Sequence, residues 1–321
     1  MDALMSGHTD DETVAAFLVA LRSKGETAEE IAGLLDGLIA ASLHVDLPVD
    51  VADVVGTGGD GLHTVNISTM AAMVLAASGV PVVKHGNRAA SSKCGSADVL
   101  EALGVHIALD PQAVVTCVEA VNIGFCFAPT YHPAMRHVGA VRRQLGTPTV
   151  FNLLGPLANP AGASRMLVGC ADEHRQSLLA SVLAARGVTA AVVRAGDGMD
   201  EVSTSAQTVV CSGSDISRID PQTLGLQLVP GSLLAGGDAQ ENAEVVRAVF
   251  AGQRSERLDA VRDCVLLNAA TALAVARTAP GSAVDVSREL PTCLEQVGEV
   301  LGTGAAQQLL RDWVDVSRSV A

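Results

Sequence analysis

The chain has 321 residues, of which 49% are hydrophobic and only 2% are aromatic, and its formal net charge is −14. This length can bury a large core, and it suits one large domain or two moderate ones, of which we expect two. The acidity is not offset by a lysine- or arginine-rich block or by a series of aromatic residues, which argues against nucleic acid as a partner.

The N-terminal segment has a purely helical pattern. Apolar residues recur at helical spacing between Val14 and Leu21, and Thr27 with Glu30 forms a capping-box pattern before a second apolar run. No strand pattern precedes residue 48. We therefore predict a small all-helical domain over residues 1–50, and we expect the helical segment at residues 130–147 to join it in space.

A different pattern begins at residue 51, where short apolar runs alternate with helical stretches. The short runs lie at residues 51–55, 80–83, 105–109, 125–128, 165–169 and 190–194, followed by a β-like segment at 208–219 and a helical C-terminal third. Such alternation is typical of a parallel sheet covered by helices. The sequence therefore predicts an α/β domain over residues 51–321 with a mainly parallel central sheet.

A glycine-rich turn follows the first of these strands. Residues 53–69 read DVVGTGGDGLHTVNIST, so four glycines separate an apolar strand from a helix that Ser68 and Thr69 open. Glycine lets the backbone adopt positive φ and approach a ligand closely, and the unpaired amides at a helix start favour anions. The turn is typical of a phosphate site, although a lone glycine-rich turn of this kind is also common without one.

The residues around the turn narrow the choice of ligand. The glycine spacing fits the dinucleotide fingerprint, but the next strand ends in Lys84 and His85, where that fold needs an acid for the ribose. No lysine followed by serine or threonine closes the turn, so it is not a P-loop. Groups suited to ribose hydroxyls and a hydrated metal ion are supplied by Asp60, Asn66, Ser68 and Thr69. The turn therefore favours a phosphorylated sugar over a nucleotide.

Two further polar clusters follow predicted strands, and the carboxyl ends of parallel strands are where such sheets bind ligands. Residues 84–96 read KHGNRAASSKCGS, whose cations and donors can hold a phosphate monoester. Asp200 and Glu201 follow the run at 190–194, and adjacent carboxylates are hard oxygen ligands suited to Mg²⁺. Either cluster can also be a solvated charged turn, and for the acidic pair the two interpretations are evenly matched.

A third group of polar residues lies between residues 129 and 160. Residues 129–133 read PTYHP, and Arg142 with Arg143 adds two guanidiniums that can bind an anion or lie on a helix surface. His132 and His137 are five apart, which is wrong for a helical metal pair, so we assign neither as a metal ligand. We interpret FNLLGPLANP at 151–160 as a rigid loop with a structural role.

The cysteines and the N-terminus bear on location. The chain has seven dispersed cysteines without a CxxC pair, which indicates reduced thiols in the cytoplasm. Acidic residues crowd the N-terminus, which therefore lacks the pattern of an export signal. The longest uncharged stretch, residues 64–83, includes polar residues, a glycine and a proline, so we predict no membrane span.

Five motifs occur in order along the chain: GTGGDGLHTVNIST, KHGNRAASSKCGSADVLEALG, FAPTYHPAMRHVGAVRRQLG, TVFNLLGPLANP and DGMDE. Taken together they resemble the anthranilate phosphoribosyltransferase family of tryptophan biosynthesis, and the resemblance covers nearly the whole chain. It implies a helical domain joined to an α/β domain in the nucleoside-phosphorylase-like fold, usually as a homodimer. The family usually has a further helical segment ahead of the residue at which this chain begins.

The resemblance also implies the reaction and the residues that serve it. It implies transfer of a phosphoribosyl group from phosphoribosyl pyrophosphate to the amine of anthranilate, with Mg²⁺, two ions per subunit. The phosphoribosyl pyrophosphate site would comprise Gly56, Gly59, Asp60, Thr64, Asn66, Ser68, Thr69, Lys84, Asn87, Ser91, Ser92 and Ser96. The anthranilate site would comprise Gly56, His85, Asn87, Pro129, His132 and Arg142. The metal site would comprise Ser68, Asp200 and Glu201.

Such a transfer makes modest demands on proton chemistry. An arylamine is neutral at pH 7, so no base is needed to generate the nucleophile. The larger demands are positioning two substrates and stabilising charge on the departing pyrophosphate. We therefore expect no dedicated catalytic acid or base, and we expect His85 or His132 to position the acceptor or to accept the late proton.

Two other classes stay open on the sequence. A pyrimidine-nucleoside phosphorylase, or a paralogue that uses another aromatic amine, would share the fold, although a phosphorylase lacks the KHGNR and FNLLGPLANP motifs. A non-catalytic binding protein would be a degenerate relative. The intact GTGGD and DGMDE motifs argue against that last class.

Overall fold

Three helices precede the first strand in the computed structural model, which describes residues 1–89 and 93–321. They are α1 (Asp2–Met5), α2 (Asp11–Lys24) and α3 (Ala28–Ala40). The predicted capping box begins α3, since the Thr27 hydroxyl accepts the Glu30 N–H and the Glu30 carboxylate accepts the Thr27 N–H.

One sheet of seven strands lies in the described part of the chain, in the order β3-β2-β1-β4-β5-β6-β7. The strands are β1 (Ala52–Gly56), β2 (Val82–Gly86), β3 (Ile123–Phe127), β4 (Arg165–Gly169), β5 (Thr189–Ala195), β6 (Thr208–Ser212) and β7 (Asp215–Ile219). Strands β1 to β5 pair in parallel, whereas β6 pairs antiparallel with both β5 and β7. The predicted fold class, a helical N-terminal unit with an α/β domain and a mainly parallel sheet, is confirmed.

The other helices of the described residues are α4 (Ile67–Ala77), α5 (Ser96–Leu103), α6 (Pro111–Val121), α7 (Ala128–Tyr131), α8 (Arg136–Leu145), α9 (Phe151–Leu157), α10 (Glu173–Ala185), α11 (Ala239–Phe250), α12 (Glu256–Arg277), α13 (Val286–Gly302) and α14 (Ala305–Ser319). Helices α4, α6, α7, α10, α12 and α13 pack against strands of the sheet. Helix α4 packs between α12 and strands β1 and β2. Its sequence ISTMAAMVLAA is apolar on almost every side, which suits a helix enclosed in the core.

Helix α8 returns to the N-terminal helices and packs against α1 and α2. Its buried residues include Val138 and Val141, and its last turn carries Arg142 and Arg143. The division of the chain into domains at 1–50 and 51–321, with 130–147 joining the first, stays a prediction.

Three segments differ from the sequence-based expectation. Strand β2 continues through Lys84 and His85, which remain buried in a central strand because each has polar partners. Residues 105–109 join no strand of the sheet and instead form the connector between α5 and α6. Their alternate apolar side chains, Val105, Ile107 and Leu109, are buried. The expected rigid loop at 151–160 contains helix α9, which the sequence hides because Gly155 and Pro156 are both typical helix breakers.

The strand order places a switch point between β1 and β4. From β1 the chain builds the sheet outward through β2 and β3, then returns to add β4 and β5 on the other side. In open α/β sheets, ligands bind at the carboxyl ends of the strands beside such a point. The glycine turn leaves β1 at this position.

Candidate functional site

The glycine turn after β1 has a backbone that only glycine adopts easily. Gly58, Gly59 and Gly61 have φ values of 65°, 83° and 74°, in the left-handed region. Gly56 has a different reason: a Cβ there would stand 2.5 Å from Oδ2 of Asp200. The end of the turn is held by a bridge between Thr64 and Ala235.

The acidic pair reaches this turn from far along the chain. Oδ2 of Asp200 accepts the Gly58 N–H at 2.7 Å, and Oε1 of Glu201 accepts the Ser68 N–H at 3.1 Å. Burial raises the pKa of Asp200 to about 7, with repulsion from Asp60 adding to it. Burial and then Asp200 raise the pKa of Glu201 to about 8. A carboxylate whose pKa is raised by burial is stabilised in its ionised form when a cation binds beside it.

The donor set at this point fits Mg²⁺. Asp200, Glu201 and the Ser68 hydroxyl are oxygen donors, as that ion prefers. Among the described residues, no group of three His, Cys, Asp or Glu side chains is close enough to hold a metal by itself. A Mg²⁺ ion here would therefore rely on water and on substrate phosphate for its other ligands, which is its usual habit in phosphate sites.

Lys84 lies beneath the turn as a buried cation. Its ammonium donates to the Val54 carbonyl and lies 3.4 Å from the Ser68 hydroxyl. Burial lowers its pKa, while Asp53 and then Glu201 act in the opposite direction. Burial raises the pKa of Asp53 to about 6 against the attraction of Lys84. Lys84 therefore brings positive charge to the side of the turn that the acidic pair faces.

The other residues predicted for phosphoribosyl pyrophosphate lie in different environments. Asn66 lies at the end of the glycine turn, and Asn87 directly follows β2. The Ser96 hydroxyl donates to the Asn87 carbonyl at 3.4 Å. Thr69 is enclosed: its hydroxyl is shielded from solvent and has no hydrogen-bond partner among the described residues. Ser91 and Ser92 lie outside the described residues.

A pocket of about 640 Å³ adjoins the turn at the ends of β1 and β2. This volume lies within the range of small-molecule sites. Helices α7, α8 and α9 form its other walls. All six residues predicted for the acceptor line it, namely Gly56, His85, Asn87, Pro129, His132 and Arg142. A larger groove of about 770 Å³, between α5, α11 and α14, contains none of these strand-end residues.

Two histidines stand together in the wall of this pocket. Nε2 of His132 lies 3.1 Å from Nε2 of His85, and both side chains are buried. His85 Nδ1 faces the Gly155 carbonyl at 3.1 Å, and His132 Nδ1 faces the Ser42 hydroxyl at 2.6 Å. Burial lowers the pKa of His85 to about 3 and that of His132 to about 4, and for His85 the neighbouring His132 adds to this.

The hydrogen-bond partners assign the tautomers of this pair. A carbonyl only accepts, so His85 carries its hydrogen on Nδ1 and its Nε2 accepts. His132 then donates from Nε2 to His85, and its Nδ1 competes with the Leu38 carbonyl, which lies 2.7 Å from the Ser42 hydroxyl, for the one hydrogen of that hydroxyl. This orientation holds both rings as neutral groups against the pocket.

Arg142 has no ionic partner among the residues that the structure describes. Its guanidinium lies 5.3 Å from the centre of the Phe151 ring, and no carboxylate of the described chain forms an ion pair with it. Burial lowers its pKa. A partly desolvated guanidinium without an anion is suited to bind a carboxylate from a ligand.

Some residues at the site were not identified as site residues from the sequence. Phe151, Asn152 and Gly155 of α9 line the pocket, in the segment expected to be only structural. Asn159 donates from Nδ2 to Asp53 and to the Val83 carbonyl, both at 2.8 Å. An acid inside an apolar strand, such as Asp53, is a usable signal because it requires a buried partner.

Known proteins resemble the chain over almost its whole length. The family description "Glycosyl transferase family, helical bundle domain" matches residues 1–42, and "Glycosyl transferase family, a/b domain" matches residues 48–307. Anthranilate phosphoribosyltransferase from Saccharopolyspora erythraea is 50% identical, over 100% of this chain and 90% of its own. The chain belongs to the anthranilate phosphoribosyltransferase family.

Solved structures of anthranilate phosphoribosyltransferases have the same fold. The enzyme from Thermus thermophilus aligns with a TM-score of 0.89 at 38% identity, over 98% of this chain and 93% of its own. The enzyme from Saccharomyces cerevisiae, solved in complex with PRPP and Mg, aligns with a TM-score of 0.87 at 29% identity, covering 96% and 86%. Membership of the anthranilate phosphoribosyltransferase family, inferred above from five motifs, is confirmed, and the chain is a transferase of this class.

Proposed function

We propose that the chain transfers the phosphoribosyl group of 5-phosphoribosyl 1-pyrophosphate to the amine of anthranilate. The products are N-(5-phosphoribosyl)anthranilate and pyrophosphate, a step of L-tryptophan biosynthesis. The observation that carries the proposal is the position of Gly56. It faces Asp200 and the glycine turn on one side and lines the pocket that holds Arg142 on the other. A phosphate-type site thus meets a carboxylate-binding pocket, as a transfer between two substrates requires.

In this proposal the donor lies along the turn and the end of β2. Backbone amides of the turn and the charge of Lys84 favour its phosphates. The residues assigned to it are Gly56, Gly59, Asp60, Thr64, Asn66, Ser68, Thr69, Lys84, Asn87, Ser91, Ser92 and Ser96. Thr69 is the weakest member, because its hydroxyl is enclosed.

We assign Mg²⁺, two ions per subunit, to Ser68, Asp200 and Glu201 together with donor phosphate oxygens. Bound there, the metal would stabilise the negative charge that develops on the departing pyrophosphate. The backbone amides of Gly58 and Ser68 donate to Asp200 and Glu201, and they thereby hold the two carboxylates at the place where this charge develops. Lys84 adds a fixed positive charge without leaving the core.

The acceptor is assigned to the adjoining pocket. Arg142 binds the anthranilate carboxylate, and Gly56, His85, Asn87, Pro129 and His132 enclose the ring and amine. The neutral histidine pair lines this pocket without adding charge. No side chain is needed as a base, since the amine attacks as a neutral nucleophile.

The deciding experiment follows anthranilate fluorescence when the protein is mixed with phosphoribosyl pyrophosphate and Mg²⁺, with EDTA as the metal-free control. We expect a metal-dependent decrease, with the product identified by its mass. If the protein binds phosphoribosyl pyrophosphate but anthranilate fluorescence does not fall, the donor assignment stands and the acceptor assignment is wrong. Another aromatic amine would then be the acceptor to seek.

The metal assignment has its own test. Changing Asp200→Ala and Glu201→Ala together should lower kcat/KM by about 100-fold or more, as for other losses of leaving-group stabilisation. The same variant should also lose the Mg²⁺ dependence of pyrophosphate binding measured by calorimetry. Asp197→Asn is the matched control, because that carboxylate in the same loop accepts the Ser203 hydroxyl instead. Near-normal turnover of the double variant in saturating Mg²⁺ would refute the assignment.

Two broader assignments complete the proposal. We propose a homodimer on the grounds of the family resemblance. We propose a cytoplasmic location because the seven dispersed cysteines are free and all of them are buried. No helix in the described chain is long and apolar enough to cross a membrane. A mass by light scattering near 32.7 kDa, that of one chain, would contradict the dimer.

A further inference from the structure

Asn66 begins helix α4 in an unusual way. Asparagine at this position normally caps the helix with its own side chain. Here the Asn66 side chain makes no capping bond, and the Glu201 carboxylate accepts the Ser68 N–H instead. The side-chain amide of Asn66 is therefore available for another task at the end of the glycine turn.

That amide is held by a residue from the C-terminal third of the chain. Nδ2 of Asn242 donates to Oδ1 of Asn66 at 2.9 Å. Oδ1 of Asn242 accepts the Gly237 N–H at 2.8 Å. Asn242 is 1% exposed and lies in the first turn of α11, whose start is fixed by a capping box between Asp238 and Glu241.

These two bonds fix which way the Asn66 amide points. A backbone N–H only donates, so the atom of Asn242 that faces Gly237 is the oxygen, and the atom that faces Asn66 is the nitrogen. Asn66 must then receive that hydrogen on Oδ1, which leaves its N–H groups on the other side. One of them faces the Cys94 carbonyl at the long distance of 3.4 Å.

The segment that carries Gly237 also supports the turn directly. The Val65 N–H donates to the Leu234 carbonyl at 2.9 Å, and the Gly236 N–H donates to the His63 carbonyl at 2.7 Å. A Cβ on Gly236 would stand 2.7 Å from the Thr64 carbonyl oxygen, so only glycine allows this approach. The turn and the start of α11 are therefore one rigid assembly.

We propose that Asn242 is a positioning residue: it orients the Asn66 amide so that an N–H faces the phosphoribosyl donor and can bind one of its oxygens. This inference rests on the proposed function for the identity of the donor. Without Asn242, the Asn66 amide keeps, among the described residues, only two long contacts of 3.4 Å with Cys94, one from Nδ2 to the carbonyl and one from the thiol to Oδ1. The amide can then turn over and present its oxygen, which repels the oxygens of an anionic ligand. Asn242 itself does not touch the substrate.

The test is a double-mutant cycle on the KM for phosphoribosyl pyrophosphate. Asn242→Ala should raise this KM by about tenfold, the usual size of losing one hydrogen bond to a charged group, and leave the KM for anthranilate unchanged. In the Asn66→Ala background, Asn242→Ala should have no further effect. An equal effect in both backgrounds would overturn the inference, because Asn242 would then act by another route.

Two variants separate positioning from stability. Gln176→Ala removes another buried amide, which donates to the Val192 and Val209 carbonyls, so it should lower the melting temperature without changing either KM. Asn242→Asp has nearly the same shape and keeps an acceptor for Gly237 but, once ionised, cannot donate to Asn66, so its kinetics are measured above neutral pH. It should fold even if Asn242→Ala does not, and it should raise the donor KM at least as much. A donor KM equal to that of the unmodified chain would overturn the inference.

A binding measurement distinguishes this inference from the proposed function. Calorimetry with Mg²⁺ and phosphoribosyl pyrophosphate gives the donor affinity whether or not anthranilate reacts. If anthranilate is not consumed but the cycle behaves as expected in donor affinity, the acceptor assignment fails and the role of Asn242 stands. If anthranilate is consumed and the cycle is additive, only the role of Asn242 fails.

Discussion

A guanidinium in a pocket walled by Phe151 and Met135 is costly unless an anion binds it, because burial disfavours an unpaired charge. Arg142 is such a group, and its pocket adjoins the glycine turn. At the scale of single residues, the chemistry of the pocket is therefore carried by one charge without a partner and by two histidines kept neutral.

Changing Arg142→Ala should raise the KM for anthranilate by about 10- to 100-fold, as for the loss of a hydrogen-bonded charge pair. Arg142→Lys should recover only part of this, since an ammonium lacks the two-pronged geometry. Steady-state kinetics would measure both. Aniline, which lacks the carboxylate, is the control acceptor: its turnover should be weak in the parent and unchanged by the substitution. An equal loss with both amines would show that Arg142 does not bind the carboxylate.

His85 and His132 should both remain neutral between pH 7 and pH 5, because their pKa values are lowered to about 3 and about 4. NMR of ring-labelled histidine would show two imidazoles that do not titrate in this range, assigned with His85→Asn and His132→Asn. Titration of either ring near pH 6.5 would contradict the burial argument.

The lowered pKa values of the two histidines also make the stability of the folded protein depend on pH. Both folded pKa values lie below the unfolded value of about 6.5, so the unfolded chain takes up protons that the folded chain does not. The pair's contribution is complete above pH 6.5 and is lost as the pH falls toward 4. Each histidine accounts for about 1.4 kcal/mol per pH unit in that window. The raised pKa of Asp53 acts in the opposite direction below about pH 6, so single-site titration is the cleaner measurement.

At the scale of elements, the site depends on how closely the end of β4 approaches the loop that carries Asp200. A Cβ on Gly169, the last residue of β4, would overlap the backbone oxygen of Asp200. The backbone of that loop cannot move without taking the acidic pair away from the glycine turn. The end of strand β4 therefore sets the position of Asp200 and Glu201, which are 31 and 32 positions further along the chain.

Changing Gly169→Ala should destabilise the protein by about 1–3 kcal/mol, as for other overpacked sites, and should also weaken Mg²⁺-dependent pyrophosphate binding. Urea denaturation and calorimetry would measure the two effects. Gly33→Ala is the matched control: it lies in α3 with no atom near its added Cβ, so it should stabilise the protein by about 0.5–1 kcal/mol. Normal pyrophosphate binding in Gly169→Ala would show that the loop adjusts freely.

At the scale of the whole molecule, charged contacts connect the N-terminal helices to the α/β domain. Arg175 of α10 pairs with Glu26 at 3.2 Å, and the Glu26 side chain is only 3% exposed. Arg186 pairs with Asp36, whose side chain is 66% exposed. The first pair is buried between the two units, whereas the second lies at their solvent edge, so the two should differ in strength.

Changing Arg175→Met should lower the free energy of unfolding by about 3 kcal/mol or more, since it leaves a buried carboxylate unpaired. Arg186→Met should change it by less than about 1 kcal/mol, as for other exposed ion pairs. Urea denaturation of both variants would measure the difference. Equal effects would mean that Glu26 reaches water when its partner is removed.

The sequence by itself determined the fold class and the family, and it predicted the residues that we assign to both proposed sites. Those features depend on local pattern: glycines at a strand end, apolar periodicity, and motifs that lie together along the chain. Strand β4, predicted at 165–169, is an example, as are the capping box of α3 and the glycine turn.

Only the tertiary structure decided which distant residues meet. The contacts of Asp200 with Gly58, of His85 with His132 and of Asn242 with Asn66 span 142, 47 and 176 residues. Periodicity records which face of an element is buried but carries no information about what that face contacts. Helix α9 was missed for a related reason. Tertiary packing stabilises this helix despite the helix breakers Gly155 and Pro156, and a local sequence pattern does not show the energy of such packing.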